Sequence, residues 1–160
     1  MKRLLSEIAR RLIKKRLTLG VCESCTGGML GSIITSQSGS SKYFKGGIIA
    51  YSNEVKGKVV GVKKYTLKKF GAVSEETAGE MACGVRRKLG TDIGIGITGI
   101  AGPTGGTKEK PVGLVYISVC SKLHRVIKRY IFKGTRELIR KRACRASLEI
   151  LKEFIQKTVS

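Results

Sequence analysis

The stretch TLGVCESCTGGMLGSIIT, residues 18–35, determines the fold class because two kinds of structure meet within it. Residues 18–22 form a short apolar run that predicts a buried strand, and Gly27-Gly28 opens a helix expected to run to Thr35. Hydroxyl, thiol and glycine residues occupy the turn between them. A strand that leads directly into a helix is the building unit of an α/β domain.

The same alternation extends over the rest of the chain. The other predicted strands cover residues 46–51, 92–98, 112–119 and 126–132, with the last two forming a hairpin around residues 121–125. The other predicted helices cover residues 2–16, 54–61, 65–70, 74–89 and 135–157. We see no internal repeat and no linker. The sequence therefore predicts one layered α/β domain over residues 1–160.

The charge is unusually positive, since 32 Lys and Arg face 11 Asp and Glu for a net charge of +21. That sign fits a nucleic-acid binder, an anionic-membrane binder or an enzyme for phosphorylated substrates. No apolar run approaches about 18 residues and no signal-peptide core follows the N-terminus, so we expect a cytoplasmic protein without a membrane partner. In that compartment thiols stay reduced, and most of the five cysteines are expected to be small core residues.

The turn after the first strand, Ser24-Cys25-Thr26-Gly27-Gly28, is the first candidate site. Free backbone N–H groups at a helix start can hold an anion or an oxyanion. Cys22 and Cys25 also form a C-x-x-C string, which is typical of thiol redox proteins. The aromatic or proline residue usual in such motifs is missing, so the hydroxyl and anion site is favoured.

The loop Thr98-Gly-Ile-Ala-Gly-Pro-Thr-Gly-Gly-Thr107 is the second candidate site. It follows a predicted strand, and open α/β sheets bind ligands at the carboxyl ends of their strands. Its glycines let the backbone approach a polar ligand closely. The string Gly94-x-Gly96-x-x-Gly99 matches a dinucleotide fingerprint, but these glycines lie inside a strand and no helix follows, so we reject that interpretation.

A catalytic base has to come from Lys or Tyr. The one histidine, His124, lies in a predicted exposed turn, and no paired Cys and His set predicts a metal site. Tyr51 and Lys56 lie just beyond a predicted strand, and a desolvated lysine can deprotonate a serine. Neither Ser24 nor Ser41 has a lysine three residues on, so any such pair is tertiary. A solvated Lys56 on a helix face is the alternative.

The basic stretch of residues 122–145 contains ten Lys and Arg and one acid, Glu137. A nucleic-acid interface favours aromatic residues among its cations, and only Tyr130 and Phe132 qualify here. A solvated face with one or two arginines recruited to a phosphate is therefore favoured. Nucleic acid is left as a secondary partner.

Several blocks of this sequence resemble the C-terminal domain family of CinA (competence/damage-inducible) proteins, whose stand-alone members are PncC-type nicotinamide-nucleotide amidases. The matching blocks are 23–28, 39–41, 46–53 with Lys56, 61–62, 71–75, 98–103, 105–107 and 110–113. Cys22 is a departure, because the family usually has alanine there. Longer members carry a further N-terminal domain, and none of its activity is expected of these residues.

The resemblance implies hydrolysis of the carboxamide of nicotinamide mononucleotide to nicotinic acid mononucleotide and ammonia. It implies a serine nucleophile with a lysine base, and neither a cofactor nor a metal. It also implies a three-layer α/β/α domain with a mixed central sheet that assembles into homodimers or larger oligomers. A non-catalytic basic module that binds nucleic acid or nucleotides is the alternative function.

The resemblance also implies roles for individual residues. Ser41, which follows a flexible Gly-Ser turn, is the expected nucleophile, with Lys56 as its base and Tyr51 as a proton relay. Ser24 is the alternative nucleophile and otherwise a supporting catalytic group. Contacts to the phosphorylated pyridine nucleotide are expected from Thr26, Gly27, Gly28, Thr98, Gly99, Gly102, Gly105, Arg136 and Arg140.

Overall fold

Five strands form a single mixed sheet in the computed structural model, which describes residues 1–158. They are β1 (Leu19–Glu23), β2 (Phe44–Ile49), β3 (Ile93–Gly99), β4 (Leu114–Cys120) and β5 (Arg125–Ile131). Their spatial order is β2-β1-β3-β4-β5. Strand β1 runs parallel to both β2 and β3, whereas β4 and β5 are antiparallel to their neighbours. The carboxyl ends of β1, β2 and β3 therefore meet at one edge.

Helices cover both faces of this sheet. They are α1 (Lys2–Lys14), α2 (Met29–Thr35), α3 (Asn53–Val55), α4 (Lys64–Phe70), α5 (Glu75–Leu89) and α6 (Arg136–Thr158). A 3-10 turn, Ser40–Lys42, precedes β2, and a π-helical turn, Lys56–Val60, follows α3. The predicted three-layer domain with a mixed sheet is confirmed. The predicted elements lie within about two residues of the observed ones, except that residues 54–61 divide into α3 and the π-helical turn.

Strand β3 shows why the helices can approach the sheet. Ile93, Ile95 and Ile97 belong to the apolar core that contains α1 and α6. On the other face, a side chain at Gly94 or Gly96 would collide with the backbone of α5. Close packing of α5 on the sheet therefore accounts for these glycines, which agrees with our rejection of the dinucleotide fingerprint.

A smaller apolar cluster lies on the α5 side of the sheet. It consists of Cys22, Ala50, Val60, Val62, Met81 and Val85. The cluster joins the end of the π-helical turn to α5, and it packs beneath the carboxyl edge of β1 and β2. This edge is thereby held by apolar packing as well as by the sheet.

The cysteines divide into two groups. Cys22, Cys25 and Cys144 are buried and free, as expected for small core residues. Cys83 of α5 and Cys120 of β4 form a disulfide, with their Cα atoms 5.6 Å apart. This bond is contrary to the expectation that the thiols stay reduced, and the two residues share no motif that would predict their pairing. Within residues 1–158, no helix has the length and apolar composition needed to cross a bilayer.

Candidate active site

A cavity of about 260 Å³ opens at the carboxyl edge of the three parallel strands. Ser24 follows β1, Tyr51 follows β2 and Thr98 lies near the end of β3, so the topology alone brings these residues together. The loop between β3 and β4 forms another wall through Gly102 and Gly105. The cavity occupies the position at which open α/β sheets bind ligands.

Lys56 lines this cavity and is buried. Its side chain is 1% exposed, and Nζ lies 2.9 Å from the Oγ of Ser24. The backbone carbonyl oxygens of Ala50 and Tyr51 lie 2.8 Å and 3.1 Å from the same Nζ. Burial lowers the pKa of Lys56 below the ordinary lysine value, because the charged form loses its hydration. The alternative of a solvated Lys56 is therefore wrong.

The three contacts of Lys56 can be made in either protonation state, because an ammonium can donate to all three oxygens and a neutral amine to two of them. A neutral amine has two N–H donors and one lone pair, whereas an ammonium has only donors. Carbonyl oxygens only accept, so the two N–H groups can go to Ala50 and Tyr51. In the neutral form the lone pair then faces Ser24 Oγ, 2.9 Å away, and the Ser24 O–H can donate to it. This arrangement suits the transfer of a proton from the serine to the lysine.

Ser41 lies elsewhere. It is exposed in the 3-10 turn that precedes β2, whereas Lys56 follows that strand. The six residues of β2 separate the two positions by about 20 Å. The predicted pairing of Ser41 with Lys56 is therefore not formed, and Ser24 takes its place. Because β1 and β2 are parallel, the residue that follows β1 meets the segment that follows β2.

Glu23 fills the start of α2. Its buried carboxylate accepts hydrogen bonds from the backbone N–H groups of Gly28, Leu30 and Gly31 at 3.0, 3.1 and 2.8 Å. These three donors are therefore occupied by the chain's own carboxylate and are not available to a substrate anion or an oxyanion. Glu23 was missed as a site residue, although its place directly before Ser24 was a usable signal.

The turn that carries Ser24 is fixed from several sides. The Ser24 N–H donates to the carbonyl of Ile97 in β3, and the Gly27 N–H donates back to the Ser24 carbonyl. Gly27 and Gly28 have φ values of 57° and 93°, which favour glycine. Arg140 donates to the carbonyl of Thr26 at 2.7 Å. The turn is thus supported by Thr26, Gly27, Gly28 and Arg140. None of these four residues lines the cavity, although substrate contacts were predicted for them.

Arg136 connects two walls of the cavity. Its guanidinium donates to the carbonyl of Gly102 at 2.7 Å and to the hydroxyl of Tyr51 at 3.0 Å. Both Arg136 and Tyr51 are exposed, so the cation lies at the mouth. A guanidinium has five N–H donors, and those not used by Gly102 and Tyr51 can bind an anionic group of a ligand.

The family model of the CinA C-terminal domain matches residues 1–155 of this chain. The chain belongs to the CinA C-terminal domain family. It is 54% identical to a CinA-like protein of Kosmotoga olearia over 152 residues, which is 94% of this chain and 37% of that protein. It is 48% identical to a CinA-like protein of Thermotoga maritima over 153 residues, 95% of this chain and 37% of that protein. This CinA domain thus spans little more than a third of these relatives.

Solved structures of the same superfamily share the fold of this CinA domain. A CinA superfamily protein from Klebsiella pneumoniae superimposes with a TM-score of 0.93 at 33% identity, with 96% of each chain covered. The competence/damage-inducible protein CihA from Agrobacterium tumefaciens superimposes with a TM-score of 0.89 at 35% identity, again with 96% of each chain covered.

The predicted site residues of this CinA domain divide by position. Those that line the cavity are Ser24, Tyr51, Lys56, Thr98, Gly99, Gly102, Gly105 and Arg136. Those that do not are Ser41, Thr26, Gly27, Gly28 and Arg140. Thr98 donates its hydroxyl to the carbonyl of Ala72 at 2.6 Å, which leaves its lone pairs for a ligand. Asn53 at the start of α3 and Thr104 of the loop 98–107 also line the cavity, although neither was predicted as an individual site residue.

The thiols of Cys22 and Cys25 in this CinA domain do not fit redox chemistry. Burial raises the pKa of Cys22 and of Cys25 to about 12, so both stay protonated at neutral pH. The C-x-x-C string therefore reflects packing. His124 is exposed in the turn between β4 and β5, at the edge of the sheet opposite the cavity. In residues 1–158, no three His, Cys, Asp or Glu side chains are grouped as metal ligands.

Proposed function

We propose that this domain hydrolyses the carboxamide of nicotinamide mononucleotide, giving nicotinic acid mononucleotide and ammonia. The contact of Ser24 with the buried Lys56, whose pKa is lowered by desolvation, in a ligand-sized cavity carries the proposal. The family resemblance supplies the substrate. The reaction as proposed uses no cofactor and no metal, since the lysine takes the part of the base.

The first half of the reaction forms an acyl-enzyme. Lys56 Nζ takes the proton of the Ser24 hydroxyl while Oγ forms a bond to the carboxamide carbon. As the tetrahedral intermediate collapses, the C–N bond breaks and the lysine ammonium returns the proton to the departing nitrogen. Ammonia leaves, and the pyridine carboxyl is held as an ester on Ser24.

The second half uses the same groups. A water molecule gives a proton to Lys56 and attacks the ester carbon, and the breaking C–O bond leaves its electron pair on Ser24 Oγ. The lysine then returns its proton to that oxygen. Ser24 and Lys56 are thereby restored, and nicotinic acid mononucleotide is released.

The remaining groups of the cavity orient the substrate in this proposal. Arg136 at the mouth binds the phosphate, and Thr98 accepts a hydrogen bond from the carboxamide nitrogen before it departs. Tyr51 positions Arg136 through its hydroxyl and Lys56 through its carbonyl. Cytoplasmic location and assembly into a homodimer or larger oligomer stay predictions from the sequence.

The test is the release of ammonia and of nicotinic acid mononucleotide from nicotinamide mononucleotide by the purified protein. We expect Ser24→Ala and Lys56→Ala to lower kcat/KM by about 10²–10⁴-fold or more, the range of a lost general base. Ser41→Ala is the matched control and should retain activity. An inactive wild-type protein would refute the substrate, and an active Ser24→Ala protein would refute the nucleophile.

A further inference from the structure

Four segments of the chain meet at the amino edge of the sheet, opposite the cavity. They are residues 14–18 at the end of α1, residues 40–45 before and into β2, residues 86–92 before β3 and residues 121–125 between β4 and β5. The Leu19 N–H donates to the Tyr43 carbonyl, and the Ile93 N–H donates to the Thr18 carbonyl. Cys120 pairs with both Gly94 and Arg125. These contacts make the four segments one continuous surface.

Exposed cations accumulate on this surface, which we call the amino-edge surface. Its exposed cations are Lys14, Lys15, Arg16, Lys42, Lys45, Arg87, Lys88 and Lys122. Arg125 is left out of this set because its guanidinium lies against Gly79. Asp92 is the one acid in the four segments, and its carboxylate accepts from the N–H and hydroxyl of Thr18. The ion pairs of the described chain all lie outside these segments. The positive charge of this edge is therefore unbalanced by the protein itself.

The proposed reaction does not account for this charge. A mononucleotide carries one phosphate, and Arg136 already provides a cation at the mouth of the cavity. The amino-edge cations lie at the other end of the strands and cannot reach that phosphate. Close like charges repel one another and destabilise the compact state, so a polyanion that binds here would relieve the repulsion.

We propose that the amino-edge surface binds the phosphate backbone of a nucleic acid without preference for base sequence. From β2 to β4 the cations extend across three strand spacings, or about 14 Å. Duplex DNA presents one charge per about 1.7 Å of its axis, so several phosphates lie within that span. Lysines and arginines on turns and helix ends contact phosphates, and no exposed helix runs across this surface to read bases in a groove.

The composition of the surface favours nucleic acid over a membrane. Peripheral membrane proteins insert an apolar face in addition to their cations. Within the four segments, the exposed large apolar residue is Leu123, 82% exposed at the tip of the turn between β4 and β5. A single leucine offers little area for insertion, whereas the cations are spread over all four segments.

The experiment measures the binding of a fluorescent mixed-sequence DNA duplex and of a single-stranded RNA by anisotropy at several salt concentrations. The edge variant carries Lys42→Gln, Lys45→Gln, Lys88→Gln and Lys122→Gln. The matched control removes the same charge from exposed lysines near the cavity end, with Lys64→Gln, Lys68→Gln, Lys108→Gln and Lys133→Gln. The melting temperature of each protein verifies its fold.

We expect the wild-type protein to bind both probes with an affinity that falls steeply with salt. Each lysine in contact with a phosphate contributes about 0.9 to the magnitude of the slope of log K against log salt. The edge variant lacks four lysines, so the magnitude of its slope should be smaller by up to about 3.6. It should bind at least about tenfold more weakly than the control variant. Ser24→Ala should bind like the wild type, which separates this surface from the amidase proposal.

Three results would overturn the proposal. The first is no binding of either probe by the wild-type protein at low salt. The second is an equal loss of affinity in the edge and control variants, which would mean that only total charge matters. The third is tighter binding to phosphatidylserine vesicles than to nucleic acid with the same dependence on the edge lysines, which would assign the surface to a membrane.

Discussion

The Nζ of Lys56 lies 2.9 Å from the Oγ of Ser24, although 32 residues separate them in the chain. The contact exists because β1 and β2 are parallel neighbours, so the segments that follow them meet at one edge of the sheet. Both side chains are buried, and no carboxylate of residues 1–158 makes an ion pair with Lys56. Desolvation therefore lowers the pKa of this lysine with no carboxylate to oppose the shift, and this leads to predictions that differ from those for an ordinary lysine.

The first prediction concerns the pH dependence of hydrolysis. Lys56 must be neutral to accept a proton, so kcat/KM should rise with pH and level off above the pKa of this lysine. Burial places that pKa below the usual value of about 10.4. The pH profile of kcat/KM measures the midpoint. A profile that keeps rising beyond pH 10.4 or so would show an unperturbed lysine and contradict the desolvated base.

The second prediction concerns the pH dependence of stability. Because the folded-state pKa of Lys56 is lowered, the unfolded chain binds more protons between the folded and unfolded pKa values. Stability should therefore rise with pH across that window in the wild-type protein. Lys56→Met keeps the length of the side chain and should lack this rise. The difference in melting temperature between the two proteins measures it, with the exposed Lys64→Met as the control that should follow the wild type.

The third prediction concerns Glu23, which holds the turn that carries Ser24. Glu23→Gln replaces one acceptor oxygen by an N–H₂ group that faces backbone N–H donors, so it should destabilise the protein by about 1–3 kcal/mol. The displaced Ser24 should lower kcat more than it changes KM. Denaturant unfolding and steady-state kinetics measure the two effects. Glu137→Gln on the exposed surface should change neither, and a normal kcat in Glu23→Gln would argue against positioning.

The fourth prediction concerns the phosphate. Arg136→Ala should raise KM for nicotinamide mononucleotide by roughly 10- to 100-fold, the value of a lost charge-assisted hydrogen bond. It should change hydrolysis of the corresponding riboside, which has no phosphate, by far less. Tyr51→Phe removes one hydrogen-bond partner of Arg136 and should have a smaller effect on KM. Equal effects of Arg136→Ala on the two substrates would contradict a phosphate contact.

The fifth prediction concerns the disulfide between Cys83 and Cys120. It closes a loop of 37 residues, so its loss should cost about 4 kcal/mol in the chain-entropy model. Reductant should lower the melting temperature of the wild-type protein, and Cys83→Ala should melt at the lower temperature with or without reductant. Thiol titration of the unfolded protein counts the free cysteines. A wild-type protein that melts at the same temperature in reductant would contradict the bond.

The layered α/β fold could be predicted from sequence because its signals are local. Apolar runs, glycines and the N-cap Ser74, whose hydroxyl accepts from Thr77, each mark an element within a few residues. The loop at Thr98 and the lysine at position 56 could also be found, since each follows a strand. The structure brings both to the cavity.

The partner of Lys56 could not be derived in the same way. Choosing between Ser24 and Ser41 requires the order and direction of the strands, which are tertiary facts. The predicted anion site at Gly27-Gly28 failed for a different and local reason. Its N–H groups are present, but Glu23 already accepts from the amide of Gly28 and from two further amides of α2. Pairing of Cys83 with Cys120 depends on how α5 packs on β4, which no local pattern records.

Packing in the apolar cluster on the α5 side should affect the rate of the proposed reaction. Cys22, Ala50 and Val60 belong to one apolar cluster at the same edge as Lys56, which is 1% exposed and donates to the Ala50 carbonyl. The basicity of this lysine is thus set by how well its neighbours fill space. A substitution that opens a gap at Cys22 would hydrate the amine, raise its pKa and slow the reaction at neutral pH without touching any substrate atom. In this domain, the quality of packing is itself a control on chemistry.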